Sequence, residues 1–189
     1  MLNRQVRASH SRDRAQIADV ITTAFGEEGG TILQLVDDLL IDPTAQPCLS
    51  LVAELHDEGD DKLGDRIVGH ILFSTVQIQG DKNRTKSMIL APLAVHPDRQ
   101  NQGIGGQLIQ AGLEQLTTAG VELVFVLGYP KYYQRHGFAP AGTQGFEATY
   151  PIAPEQADAW MVQALRPGVL GQVQGRVLCA TALDHPMHW

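Results

Sequence analysis

The sequence predicts an α/β domain of the α+β type, built on a mixed and mostly antiparallel sheet. Three observations carry that expectation. Two amphipathic helical stretches precede three strand-like runs joined by polar loops; the segment VHPDRQNQGIGGQLI, residues 95–109, then opens a third helix; and that helix leads into the almost wholly apolar run VELVFVL. Three antiparallel strands followed by a strand, helix, strand crossover make the fourth and fifth strands a parallel pair.

The elements follow in order. RQVRAS, residues 4–9, is a short first strand. With Ser11 or Asp13 as a cap, Ile17, Val20, Ile21, Ala24 and Phe25 fall at the i, i+3, i+4, i+7, i+8 spacing of a helix with one apolar face. Ile32, Leu35, Val36, Leu39 and Leu40 repeat the spacing. CLSLVAEL, RIVGHILFSTVQI and KSMILAPLAV are β-type runs, divided by HDEGDDKLGD and QGDKNR, polar and glycine-containing as hairpin loops require. The third helix runs to Ala119 with Ile104, Leu108, Leu113 and Leu116 on one side, and Gly120 ends it. VELVFVL has the unbroken apolar character of a strand covered on both faces with a parallel neighbour. From Ala139 the chain is rich in Gly, Pro and Gln, and WMVQAL and GRVLCAT are its strand-like pieces.

Composition narrows the function classes. A chain of 189 residues, 43% hydrophobic and 19% charged, is long enough for one well-cored domain and too apolar to be disordered. The N-terminal MLNRQVRASHSRDR has no apolar stretch after its positive charges, and no run of about 18 apolar residues occurs, which predicts a cytoplasmic protein without a membrane partner. Cys48 and Cys179 have neither metal-ligand spacing nor a disulfide-framework count and read as buried thiols. A net charge of -7 lacks the basic footprint of a nucleic-acid binder, so a polyanionic ligand has to be handled locally.

The glycines of residues 103–106 supply that local handling. A helix N-terminus presents unpaired N–H groups and about half a positive charge, and glycines let a phosphate approach without a Cβ in the way. A pyrophosphate is the expected ligand; an ordinary tight turn into a helix is the plainer alternative. A dinucleotide fingerprint, counted from Gly103 and Gly105, would put its third glycine at Leu108, and a Walker A loop would need a lysine near Gly106. Neither pattern is present.

What remains, Gln100-x-x-Gly103-x-Gly105 after a strand ending LAVHP, resembles the acetyl-CoA pyrophosphate loop of the GNAT superfamily of N-acetyltransferases, Q/R-x-x-G-x-G/A. YYQRHGF after the fifth strand resembles that superfamily's Y-x-x-x-G-F segment. VGHILFS, VLGYPKYYQRHGF and ALRPGVLGQVQGRV are similar to its YhbS-like branch. The resemblance implies a GNAT fold with helices on both faces of the sheet and the fourth and fifth strands splayed apart, in a single domain over 1–189 with a core at 1–140 and C-terminal strands at 141–189. It implies acetyl-CoA as co-substrate and no metal.

By the same resemblance, the backbone of Asn101, Gln102, Gly103, Ile104, Gly105 and Gly106 holds the pyrophosphate, and the backbone of Leu93, Ala94 and Val95 pairs with the pantetheine arm. Tyr133 protonates the departing thiolate, with Tyr132 beside it as the other candidate. Pro92, which has no N–H, independently favours a bulge or splay next to the fifth strand. Many GNAT relatives carry a glutamate base on the fourth or fifth strand, whereas MILAPLAV and LVFVL contain no acid and Glu122 stands at the start of its strand. A water chain, Glu27, Glu28, Glu54 or His70 are the remaining candidates, although His70 and His96 read more simply as structural. Arg99, Lys131 and Arg135 either meet the CoA 3′-phosphate or stay solvated. The implied activity is acetyl transfer to a primary amine of a small molecule or peptide by direct attack. The alternative is an acyl-CoA-binding module that senses or scaffolds. A homodimer is compatible with either.

Overall fold

Alternating apolar side chains pull the middle of the chain into a sheet in which sequence neighbours are mostly sheet neighbours. The structure is a computed structural model that describes residues 2–57 and 66–189; most of the predicted loop HDEGDDKLGD lies outside the described residues. In chain order the elements are β1 (Leu2–Ala8), α1 (Arg14–Phe25), α2 (Gly29–Ile41), β2 (Leu49–Asp57), β3 (Arg66–Ile78), β4 (Ser87–Val95), α3 (Ile104–Thr118), β5 (Leu123–Leu127), the single turn α4 (Pro130–Tyr133), β6 (Ala139–Pro140), β7 (Phe146–Glu147), β8 (Trp160–Ala164) and β9 (Gly175–Leu178). The main sheet path is β1-β2-β3-β4-β5-β8-β6. β1 to β4 pair antiparallel in sequence order, β4 and β5 pair parallel, and β8 is antiparallel to both β5 and β6. β9 pairs with the end of β3 and runs parallel to β7.

Both faces of the sheet are covered, which explains the uninterrupted apolar run of β5. Leu123 and Phe125 join the core beneath α1 and α2, with Ile17, Val20, Ile21, Leu35 and Leu39. Val124 and Val126 join the core beneath α3, with Ile104, Leu108, Ile109 and Leu116. Each face takes alternate residues, as the two-residue period of a strand requires. α3 sits close because Gly112 leaves room: a Cβ there would overlap the ring of Phe73 on β3. Full burial of a side chain such as Phe73 contributes about 1.5–3 kcal/mol.

Of the two predicted caps of α1, Asp13 stands at the N-cap position and Ser11 does not. Ser11–Asp13 forms a 3₁₀ turn, and neither side chain caps α1. The Asp13 carboxylate instead accepts from both terminal guanidinium nitrogens of Arg7, at 2.6 and 3.1 Å, and from the His10 N–H. The same guanidinium donates to both oxygens of Glu54 at 2.8 Å. A largely buried guanidinium thus ties β1 to β2 and to the entry of α1, and its hydrogen bonds hold the Asp13 carboxyl below the usual range.

The splay expected at Pro92 is present. Phe73 pairs with Leu90 and Ile71 with Leu93, so Ala91 and Pro92 of β4 stand against Leu72 alone on β3. The pairing of β4 with β5 ends at Leu90 opposite Val126. Beyond that point the β5-facing edge of residues 91–95 has no strand partner among the described residues.

Candidate active site

Between β4 and α3 the chain makes a 3₁₀ turn, Pro97–Arg99, capped by His96, whose Nδ1 accepts from the Asp98 N–H at 3.3 Å. Asn101 and Gly103 then take left-handed conformations, φ 59° and 82°, which asparagine and glycine reach most cheaply. Gly103 is the N-cap of α3 and brings no side chain, so the first N–H groups of α3, at Ile104, Gly105 and Gly106, have no acceptor within the helix. Gln100 steadies the loop by donating to the Val95 carbonyl at 3.1 Å.

These N–H groups open onto a cleft of about 550 Å³. Of the residues predicted to bind the co-substrate, Leu93, Val95, Asn101, Gly103, Ile104, Gly105 and Gly106 line it. Ala94 and Gln102 do not. The Ala94 side chain is buried in the core beneath α1 and α2, while Gln102 is exposed and its carbonyl accepts from Arg4 at 2.7 Å. The part predicted for both is a backbone one, which their side-chain directions leave open. Arg99, Gln100, Tyr132, Arg135 and His136 complete the wall. The buried Nε of Arg99 has no acceptor among the described residues. His136 stands over Gly106 and Tyr132 over Gly105; the two rings meet at 5.1 Å, and the Arg135 guanidinium lies 5.3 Å from the Tyr132 centroid. Burial, and after it the Arg135 charge, pushes the His136 ring below its ordinary value. Lys131, the third predicted cation, is exposed on α4 and is not part of the wall.

The two adjacent tyrosines part company. Tyr132 is half-buried on the cleft wall. Tyr133 is 9% exposed, packed against Tyr132 and Phe138 at ring distances of 5.2 and 5.7 Å and against Gly128, the residue after β5. Its ring therefore covers the end of β5, beside the point where β4 and β5 have separated. Burial, and after it Tyr132, raises its hydroxyl well above the usual tyrosine value, so it stays protonated at neutral pH.

The candidate bases lie elsewhere. Glu54 is held by Arg7. Glu122 is paired with Arg166 at the far end of β5 and accepts from the Lys86 N–H. Glu27 and Glu28 are exposed in the turn between α1 and α2. His70 is fully buried on β3, hydrogen-bonded to Ser50 Oγ at 3.0 Å, and burial lowers its ring to about 4. No carboxylate among the described residues lines the cleft. Among the described residues, no group of three or more His, Cys, Asp or Glu side chains is arranged to hold a metal ion, and no helix is long and apolar enough to cross a membrane.

A model of the GNAT acetyltransferase domain matches residues 48–140. Over 169 residues, 89% of this chain and 87% of the other, the sequence is 43% identical to the uncharacterized N-acetyltransferase YjhQ of Escherichia coli K12. The chain belongs to the GNAT family of N-acetyltransferases. This GNAT chain is similar in structure to Escherichia coli YhbS in complex with CoA, with a TM-score of 0.83 and 28% identity over 98% of this chain and 94% of that one. It is also similar to a GNAT family acetyltransferase from Brucella melitensis in complex with acetyl-CoA, with a TM-score of 0.71 and 31% identity over 96% and 99% of the two chains. The GNAT fold accounts for the parallel β4 and β5 and for the gap between them. The sequence motif pointed to Tyr133 and to the loop, but Arg99 and His136 carried no signal that distinguishes a cleft residue from a solvated one.

Proposed function

We propose that this GNAT protein transfers an acetyl group from acetyl-CoA to a primary amine, on a small molecule or a peptide, by direct attack in a ternary complex. One observation carries the reading: the bare N–H groups of Ile104, Gly105 and Gly106 and the Nε of Arg99, buried and without a partner among the described residues, share a cleft that no described carboxylate lines, beside the open edge of β4. Such donors suit a pyrophosphate, and their helix end adds a favourable dipole. Acetyl-CoA supplies the acetyl group as an activated thioester. The loop N–H groups, Asn101 and Gln102 included, anchor its phosphates. The backbone of Leu93, Ala94 and Val95 aligns the arm along the β4 edge, and orientation of this kind removes much of the entropic barrier. Tyr133, protonated beside the gap, donates its proton to the leaving sulfur.

With no carboxylate among the described residues of the cleft wall, the amine arrives neutral or loses its proton to water. The rate then rises with pH through the ionisation of the amine itself. The same lack favours a second reading, an acyl-CoA-binding module that senses or scaffolds with little catalysis. We also take residues 1–189 as one domain, since β8 and β9 of the tail pair with β5 and β3 of the core. A cytoplasmic location suits this reading, and sedimentation separates a monomer from a homodimer.

The test is calorimetry with acetyl-CoA, NAD and ATP, followed by CoA release in the presence of a panel of primary amines. Binding of acetyl-CoA alone among the three, with turnover on at least one amine, supports the enzyme. Acetyl-CoA binding without turnover on any amine supports the module, and binding of NAD or ATP in its place overturns both.

A further inference from the structure

At the opposite end of α3 from the glycine loop lies a second cavity of about 870 Å³, larger than the cleft. Gly105 and Leu116, which line the two cavities, are separated by eleven residues of helix, about 17 Å along the axis, so this space is remote from the glycine loop. Its volume is within the range of small-molecule sites, about 300–1,000 Å³.

We propose that this cavity is a binding site for an aliphatic carboxylate of the fatty-acid class, independent of acetyl transfer. The walls give the chemistry of the tail. Leu49, Val76, Ile78, Met88, Leu116 and Val121 line them, and no aromatic ring does, so a flexible alkyl chain finds apolar contact while a nucleobase or aromatic ring finds nothing to stack on. The mouth gives the chemistry of the head. Arg84 and Lys86 stand there exposed, and among the described residues neither has a carboxylate within ion-pair distance. The lining carboxylate, Asp81, is turned onto its own loop, accepting from the N–H groups of Asn83 at 2.9 Å and Thr85 at 2.6 Å. The Ser87 hydroxyl donates to the Thr85 carbonyl. In a chain of net charge -7, Arg84 and Lys86, two positions apart and without an ion-pair partner among the described residues, stand over an apolar space and match an anionic head with an apolar tail.

Cys48 lines this cavity and Cys179 does not, and the chain has no other cysteine, so the two thiols form a built-in reporter pair. The experiment titrates the intact protein with decanoate, decanol and decylamine by calorimetry. In parallel, labelling of the two cysteines by a small thiol reagent is followed by mass spectrometry. Decanoate is expected to bind saturably, at least about ten-fold more tightly than decanol or decylamine, and to slow labelling of Cys48 while leaving Cys179 unchanged. Arg84→Gln with Lys86→Gln, both exposed positions, should weaken decanoate by about ten-fold or more and keep the melting temperature. Absence of saturable binding overturns the proposal. So does equal affinity for decanol or decylamine, equal protection of both cysteines, or a double variant that binds decanoate as the parent does.

Discussion

Tyr133 packs against Gly128 so closely that a Cβ at position 128 would overlap the phenol ring. The contact joins the residue after the parallel β5 to the tyrosine beside the gap that β5 leaves. Gly128→Ala should therefore displace the ring, costing about 1–3 kcal/mol in stability as over-packing does and lowering turnover with little change in acetyl-CoA affinity. Tyr133→Phe keeps the packing and removes the proton. It should lower turnover by about 10²-fold or more while changing stability by less than about 1 kcal/mol. Tyr132→Phe, read in the same CoA-release assay, should stay close to the parent. The reverse order of the two tyrosines would move the acid to the cleft wall.

Arg99 and Gly105 test the phosphate end. Arg99→Ala removes a donor with a buried, unpaired Nε and should weaken acetyl-CoA binding by about ten-fold or more, the scale of a hydrogen bond to a charged group. Gly105→Val places a branched side chain where the Tyr132 hydroxyl stands and where a phosphate would approach. Calorimetry should show affinity lost well beyond any loss in melting temperature. Equal loss of both would make the glycine a packing residue only.

His136 links acetyl-CoA affinity to pH. In the free protein its ring is held below the ordinary histidine value, by burial first and then by Arg135; Tyr132 packs against it, and Arg99 lines the same cleft. A phosphate beside the ring favours the imidazolium and raises the bound-state value. Affinity should therefore rise as pH falls through the window between the raised bound value and the depressed free value. His136→Gln should flatten that dependence in a calorimetric pH series.

His70 makes stability pH-dependent in the same direction as most acid denaturation. Its ring is lowered to about 4 in the folded protein against 6.5 in the open chain, so the unfolded state takes up the proton first. Stability is intact above 6.5 and is lost as pH falls toward 4, by up to about 3 kcal/mol. Urea titrations at several pH values check this, and His70→Asn should reduce the slope across that window.

The sequence by itself determined what depends on the backbone within a few residues. The bare start of α3, the two-sided character of β5 and the interruption at Pro92 follow from local sterics, from side-chain periodicity or from a missing N–H, and each is present in the structure. The tertiary structure alone decided which side chains share a space. Tyr132 and Tyr133 are neighbours of equal propensity, yet one packs over Gly105 and against His136 on the cleft wall and the other against Gly128 and Phe138 over the end of β5. Asp13 keeps the N-cap position of α1, but its carboxylate turns to Arg7, whose guanidinium also holds Glu54 on the paired strand. Arg99 and His136, 37 positions apart, meet at one cleft because α4 and the turn after it fold back over the start of α3. Such proximities depend on sheet order and close packing across the whole chain, which no local pattern encodes.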